Sequence, residues 1–135
     1  MKTFGSIVVI LLGMGLSACH SPSSTGIAKT HIYTLKQKCP TLMEMKVGEI
    51  LLFNAPENPS TGYQWQLAQP VQNFKTEETF LQKDAEDGAV GVGRIKTFKF
   101  TAQKPGQDLI ELVYVRSWES AKQPEQLWQC RIRIS

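Results

Sequence analysis

The sequence predicts an all-β fold. Alternation of apolar and polar residues with a period of two recurs along the chain, turn signals separate the alternating runs, and little of the sequence carries a helical period. The first run is Leu42 to Val47, with Met43, Met45 and Val47 on one face and Glu44 and Lys46 on the other. Val47-Gly48-Glu49 then reads as a turn into the apolar run Glu49 to Phe53. Apolar character resumes with Tyr63 and Trp65. Glu77 and Glu78 fall on a further strand and point to opposite faces. Ile95 to Phe100 and Leu109 to Val115 follow, separated by the Pro105-Gly106 turn; the second is almost wholly apolar and is expected to be central. In Trp128 to Ile134, Trp128, Cys130, Ile132 and Ile134 face one way, and Gln129, Arg131 and Arg133 the other. Seven or eight short strands in one chain suggest a β-sandwich of immunoglobulin type.

Three interruptions are long for so small a domain: Pro56 to Gly62, Lys83 to Arg94, and Arg116 to Gln126. Strands joined by hairpins alternate in direction, so all three are expected at one end of the sandwich.

The N-terminus reads as an export signal. Met1-Lys2 gives a basic start, and Phe4 to Leu16 is an apolar run with Ser6 as its one polar residue, too short for a stable membrane span. The run ends in Leu16-Ser17-Ala18-Cys19, which resembles the lipobox of bacterial lipoproteins. That resemblance implies a signal peptide over residues 1–18, cleavage before Cys19, and acylation of Cys19 as a lipid anchor to a membrane. His20, rather than Asp, after the cysteine implies sorting to the outer membrane of a Gram-negative envelope, with the domain facing the periplasm. Residues 19–30 are rich in Ser, Pro, Thr and Gly and read as a flexible tether, leaving residues 31–135 as one domain with a single core. Without Lys2 the chain carries 14 basic and 12 acidic residues, a net charge of +2 with no basic stripe, so nucleic acid is not an expected partner. A monomer is expected. With Cys19 acylated, Cys39 and Cys130 remain. They are either a disulfide, which would add roughly 4 kcal/mol in the chain-entropy model, or two buried free thiols.

The residue inventory argues against an enzyme. Both histidines, His20 and His31, lie in or beside the tether, so the domain body lacks the histidine of Ser-His-Asp and Cys-His catalysis. It also lacks histidine metal ligands and a close cysteine pair for zinc. Asp84, Glu86 and Asp87 lack the ligand spacing of a calcium loop, and Gly91-Val92-Gly93 lacks the Lys-Ser/Thr of a phosphate loop. No metal or cofactor is expected.

Three motifs, in order, carry a family resemblance. Asn58, Pro59, Ser60, Thr61, Gly62 and Tyr63 closely resemble the NPTTGY/F loop of the chagasin-type inhibitors of cysteine peptidases. Gly91, Val92, Gly93 and Arg94 resemble that family's Gly-x-Gly loop, and Arg116, Ser117 and Trp118 its Arg/Lys-Pro-Trp loop. The likeness runs from about Thr30 to Ser135 and implies an immunoglobulin-like sandwich that inhibits papain-family cysteine peptidases tightly and reversibly. The Asn58–Tyr63 loop would enter the active-site cleft, and the other two would clamp its walls. Pro59 stiffens the loop, Asn58 bonds nearby backbone, and Gly62 permits a positive φ and a close approach to the peptidase backbone. Trp118 would serve as an anchor and Arg116 as a charge or hydrogen-bond partner. Two residues depart from the family pattern: Ser117 replaces the proline, which implies a looser third loop, and Arg94 stands where a further glycine is common, adding bulk and charge. An envelope module that binds another protein or a surface is the competing reading.

Overall fold

The computed structural model describes residues 26–82, 93–119 and 123–135, together with Gly5 and Gly15. Apart from those two glycines, the expected signal segment, Cys19, most of the tether, and Gly91 and Val92 lie outside the described residues.

Among the described residues eight strands form, in chain order: β1 (Thr30–Thr34), β2 (Met43–Met45), β3 (Ile50–Glu57), β4 (Tyr63–Leu67), β5 (Phe74–Gln82), β6 (Arg94–Ala102), β7 (Gly106–Arg116) and β8 (Gln126–Ile134). They pair into two four-stranded sheets, β1-β3-β6-β5 and β2-β8-β7-β4, the layers of an immunoglobulin-like β-sandwich. The long strands pair antiparallel. The two short N-terminal strands pair parallel, β1 on β3 and β2 on β8, so the first part of the domain crosses from one sheet to the other.

Period-two alternation builds the core. Leu51, Phe53 and Ala55 from β3 and Phe98, Phe100 and Ala102 from β6 face Trp65 of β4, Ile110 and Leu112 of β7, and Trp128, Cys130 and Ile132 of β8. Phe53 lies at the centre, 4.6 Å from the Trp128 ring and 5.6 Å, edge-on, from the Trp65 ring. Each large side chain buried in this way contributes about 1.5–3 kcal/mol. As the apolar run predicts, β7 is internal to its sheet, between β8 and β4.

The structure corrects the sequence reading in three places. Val47 does not continue β2. The chain turns at Lys46–Glu49, closed by the Glu49 N–H donating to the Lys46 carbonyl (3.0 Å) with Gly48 at φ 91°, and Val47 is left about half exposed. Thr30, at the end of the expected tether, already pairs with Ile50 as the first residue of β1. The first interruption is shorter than it looks, because β3 runs on through Pro56 and Glu57, which pair with Ile95 and Arg94. Proline is tolerated there because β1 ends opposite Asn54, so among the described residues Pro56 has a strand neighbour only on the β6 side.

Cys39, after β1, and Cys130, on the inner face of β8, are joined as a disulfide with Cα atoms 5.3 Å apart. The Trp128 indole N–H donates to the Gln37 carbonyl beside it (3.0 Å), so the β1–β2 connection is held to β8 by both a covalent and a polar link.

Candidate functional site

Strand register brings the ends of three connections to one end of the sandwich. Glu57, at the end of β3, and Gln82, at the end of β5, both pair with Arg94, the first residue of β6. In the other sheet Tyr63, at the start of β4, pairs with Arg116, at the end of β7, and Tyr114 pairs with Gln126, at the start of β8. The β3–β4, β5–β6 and β7–β8 connections therefore leave from the same end.

The β3–β4 connection is an ordered turn. Asn58, with extended φ/ψ of −124° and 100°, caps a single 3₁₀ turn, Pro59–Thr61. Its Oδ1 accepts from the Ser60 N–H (3.1 Å) and the Ser60 hydroxyl (2.6 Å). Its carbonyl accepts from the Thr61 N–H (3.2 Å) and hydroxyl (2.7 Å). The Gly62 N–H closes on the Pro59 carbonyl (3.1 Å) at φ 83°, a left-handed conformation that glycine adopts without a Cβ clash. Pro59 fits the first helical position because no N–H is needed there. Pro59, Ser60 and Thr61 are exposed at the tip.

Beneath the turn lies a polar cluster that the motifs do not reveal. Glu57 is buried, with its side chain fully so. Its Oε2 accepts the Trp65 N–H (2.9 Å), and its Oε1 accepts from Arg94 Nε (2.7 Å) and Nη2. Lys96, also buried, donates from Nζ to the Trp65 carbonyl (2.6 Å) and pairs with Glu78 (3.4 Å). The Trp65 indole N–H donates to the Pro56 carbonyl (3.1 Å). Both backbone groups of Trp65, on the edge strand β4, are thus taken by charged side chains of the opposite sheet.

Arg94 is turned into this cluster. Its guanidinium pairs with Glu57 and lies 3.9 Å over the Phe80 ring, so its charge is balanced internally. The bulk and charge expected of Arg94 are therefore directed at Glu57 and Phe80. Gly93, directly before it, joins Pro56, Glu57, Asn58, Tyr114 and Gln126 around a shallow depression at this end.

The β7–β8 connection opens with a turn closed by the Glu119 N–H donating to the Arg116 carbonyl (3.0 Å). Ser117 occupies the second position of that turn, where proline is favoured and serine also fits. Trp118 is 70 % exposed, and its ring lies over Gly62: a Cβ there would stand 2.5 Å from Cη2. The space above Gly62 is therefore filled by this protein's own tryptophan. The Arg116 guanidinium packs 4.4 Å over the Tyr63 ring and 5.8 Å from that of Trp118, while Nη1 reaches Glu119 at 3.5 Å. Tyr63 stacks on Tyr114 and Tyr114 on Trp65, each pair at 5.2 Å, so aromatic contact runs from the start of β4 into the core.

The structure thus gathers Asn58–Tyr63, Gly93, Arg94, Arg116 and Trp118 at one end. Sequence reasoning missed Glu57, Lys96, Phe80 and Tyr114. Period two held a signal for the first two: Glu57 continues the inward series Leu51-Phe53-Ala55, and Lys96 begins the series Phe98-Phe100-Ala102. Among the described residues, no group of three or more His, Cys, Asp or Glu side chains is placed to hold a metal ion.

Comparison with known proteins identifies the family. Residues 44–132 match the family model described as Chagasin family peptidase inhibitor I42. Amoebiasin-2 of Entamoeba histolytica is 32 % identical over 98 residues, 72 % of this chain and 79 % of that protein. Chagasin of Trypanosoma cruzi is 25 % identical over 80 residues, 56 % of this chain and 73 % of chagasin. Among solved structures, the cysteine protease inhibitor EhICP2 of Entamoeba histolytica superposes with a TM-score of 0.68 at 27 % identity, covering 80 % of this chain and 97 % of its own. The match covers the Asn58–Tyr63 turn, the start of β6 and the Arg116–Trp118 turn, and the chain belongs to the chagasin family of peptidase inhibitors, a family of inhibitors rather than enzymes.

Proposed function

We propose that the chain inhibits papain-family cysteine peptidases tightly and reversibly. The Asn58–Tyr63 turn enters the active-site cleft, and the Gly91–Arg94 and Arg116–Trp118 loops contact the walls on either side. The observation that carries this reading is the shared end: a turn closed by its own hydrogen bonds stands beside a 70 % exposed tryptophan, with Gly93 on the other flank. The names of the relatives support cysteine peptidases as the broader target class, since EhICP2 is a cysteine protease inhibitor.

The geometry suits a plug better than a substrate. Pro59–Thr61 is wound as a 3₁₀ turn, whereas a peptidase cleaves an extended backbone. Ser60 and Thr61 are small enough to lie over a catalytic cysteine. A turn already fixed by its own bonds loses little entropy on docking, which favours tight binding. Trp118, a residue type enriched at binding hot spots, supplies apolar area at the rim. We also propose that acylation of Cys19 holds the domain, as a monomer, on the periplasmic side of the outer membrane; the sequence of the first 20 residues supports this reading.

Titrating residues 28–135 against papain and a cathepsin tests the inhibitory reading. The expected result is loss of peptidase activity at a one-to-one ratio, regained on dilution, with the inhibitor recovered uncleaved. Full peptidase activity at micromolar inhibitor, or cleavage between Asn58 and Tyr63, would overturn it.

A further inference from the structure

The geometry points to Glu57 as a positioning residue that locks the Asn58–Tyr63 turn and the start of β6 into one fixed relation, an inference that rests on the inhibitory reading above. Glu57 is the last residue of β3 and directly precedes Asn58. From its own strand its carboxylate reaches two other segments: the far stem of the turn through the Trp65 N–H, and the first residue of β6 through the Arg94 guanidinium. Trp65 belongs to the opposite sheet, so this one side chain ties the two layers together at the loop end. Arg94 extends the tie to β5 by stacking on Phe80.

Stability alone is a weak reason for this chemistry. A buried ion pair replaced by apolar groups of similar shape often leaves a fold equally stable or more so. A carboxylate bonded on both oxygens fixes direction, which apolar packing does not, and charge-assisted bonds do so at short range. Both bond systems converge where the β3–β4 and β5–β6 connections leave the sandwich. Holding those stems still preserves the spacing between the turn and Gly93 that a cleft would have to match.

Glu57→Gln separates the two halves of this lock. The Gln carbonyl can still accept the Trp65 N–H, but its amide N–H₂ then faces the Arg94 donors. The start of β6 is released while the β4 stem stays held. Arg94→Gln in the same chain lets two side-chain amides bond each other and restores part of the link.

The test uses the full chain purified in detergent, as wild type, Glu57→Gln, Arg94→Gln and the double variant. Melting temperature, amide hydrogen exchange over residues 57–65 and 93–96, and the dissociation rate of the papain complex are measured for each. Glu57→Gln should speed exchange at both stems and raise the dissociation rate about tenfold, the scale of one charge-assisted hydrogen bond. The double variant should lie closer to wild type than either single one. Arg94→Lys, which keeps the charge and loses the fork, supplies the same comparison should Glu57→Gln fail to fold. Wild-type exchange and dissociation in a folded Glu57→Gln chain, or a double variant no better than the singles, would overturn the inference. Should wild type leave papain active, the inhibitory reading falls, and the exchange data alone decide the role of Glu57.

Discussion

Gly62 has two independent reasons to be glycine. Its φ of 83° costs an L side chain roughly 1–2 kcal/mol, and the place of its Cβ is taken by the Trp118 ring. The second reason makes it the seat of the Trp118 ring. Trp118→Ala should leave the melting temperature nearly unchanged, because the side chain is 70 % exposed, yet weaken papain inhibition by 2 kcal/mol or more, about 30-fold. Gly62→Ala should weaken it as well, by pushing the ring aside and straining the turn. In the Trp118→Ala background the ring-dependent part of the Gly62→Ala loss disappears, so the two effects fall short of additive. Inhibition constants and melting temperatures for the four chains check this, and fully additive losses of affinity would reject the seat. The turn itself is legible in the sequence because its bonds are local: Asn58 reaches Ser60 and Thr61, and proline and glycine announce themselves. The inward pairing of Arg94 is not, because its partner Glu57 lies 37 residues away, and only the strand register brings the two together.

At the scale of elements, alternation speaks clearly where a strand has one face inside and one outside. Every inward residue expected on β8 is buried, and Gln129, Arg131 and Arg133 are exposed. It speaks poorly where a strand is short or where a turn takes over, as at β1 and Val47. β1 depends on parallel pairing with β3 and on His31, whose Nε2 lies 3.0 Å from Glu49 Oε2 and so pins the strand to the β2–β3 turn. The hydrogen bond from His31 holds the Glu49 carboxyl below its ordinary value of 4.5, with burial opposing and the Lys46 backbone assisting. A carboxyl whose pKa falls on folding stabilises the fold above its unfolded value and loses that contribution as pH drops through the folded value. Wild type should therefore be more stable than His31→Ala above pH 4.5, by no more than about 1 kcal/mol for so shallow a pair. The gap should narrow as pH falls below that. Urea unfolding of both chains across this range measures it, and a gap that grows on acidification would exclude the pin.

At the scale of the whole molecule, the chain enters the domain at the end opposite the loops. Thr30 pairs with Ile50, the first residue of β3, whereas the Asn58–Tyr63 turn follows Glu57, the last. Eight residues of strand separate the two ends by about 23 Å at 3.3 Å per residue. The entry end is closed by its own backbone bonds, Gly48 N–H to the Ala102 carbonyl (2.8 Å) and Ser135 N–H to the Met45 carbonyl (2.9 Å). A lipid on Cys19 would therefore hold the domain by its base and leave the loops facing away from the bilayer. Deleting residues 20–27 draws the base down to the membrane without turning the loops toward it. On vesicles, that shortened, acylated chain should inhibit soluble papain within about threefold of a Cys19→Ala chain free in solution, a gap under 1 kcal/mol. Site-specific fluorophores at Ser60 and at Val47 give the orientation directly: a lipid-borne quencher should dim Val47 and spare Ser60. Quenching at Ser60, with inhibition lost on vesicles, would mean that the loops face the lipid.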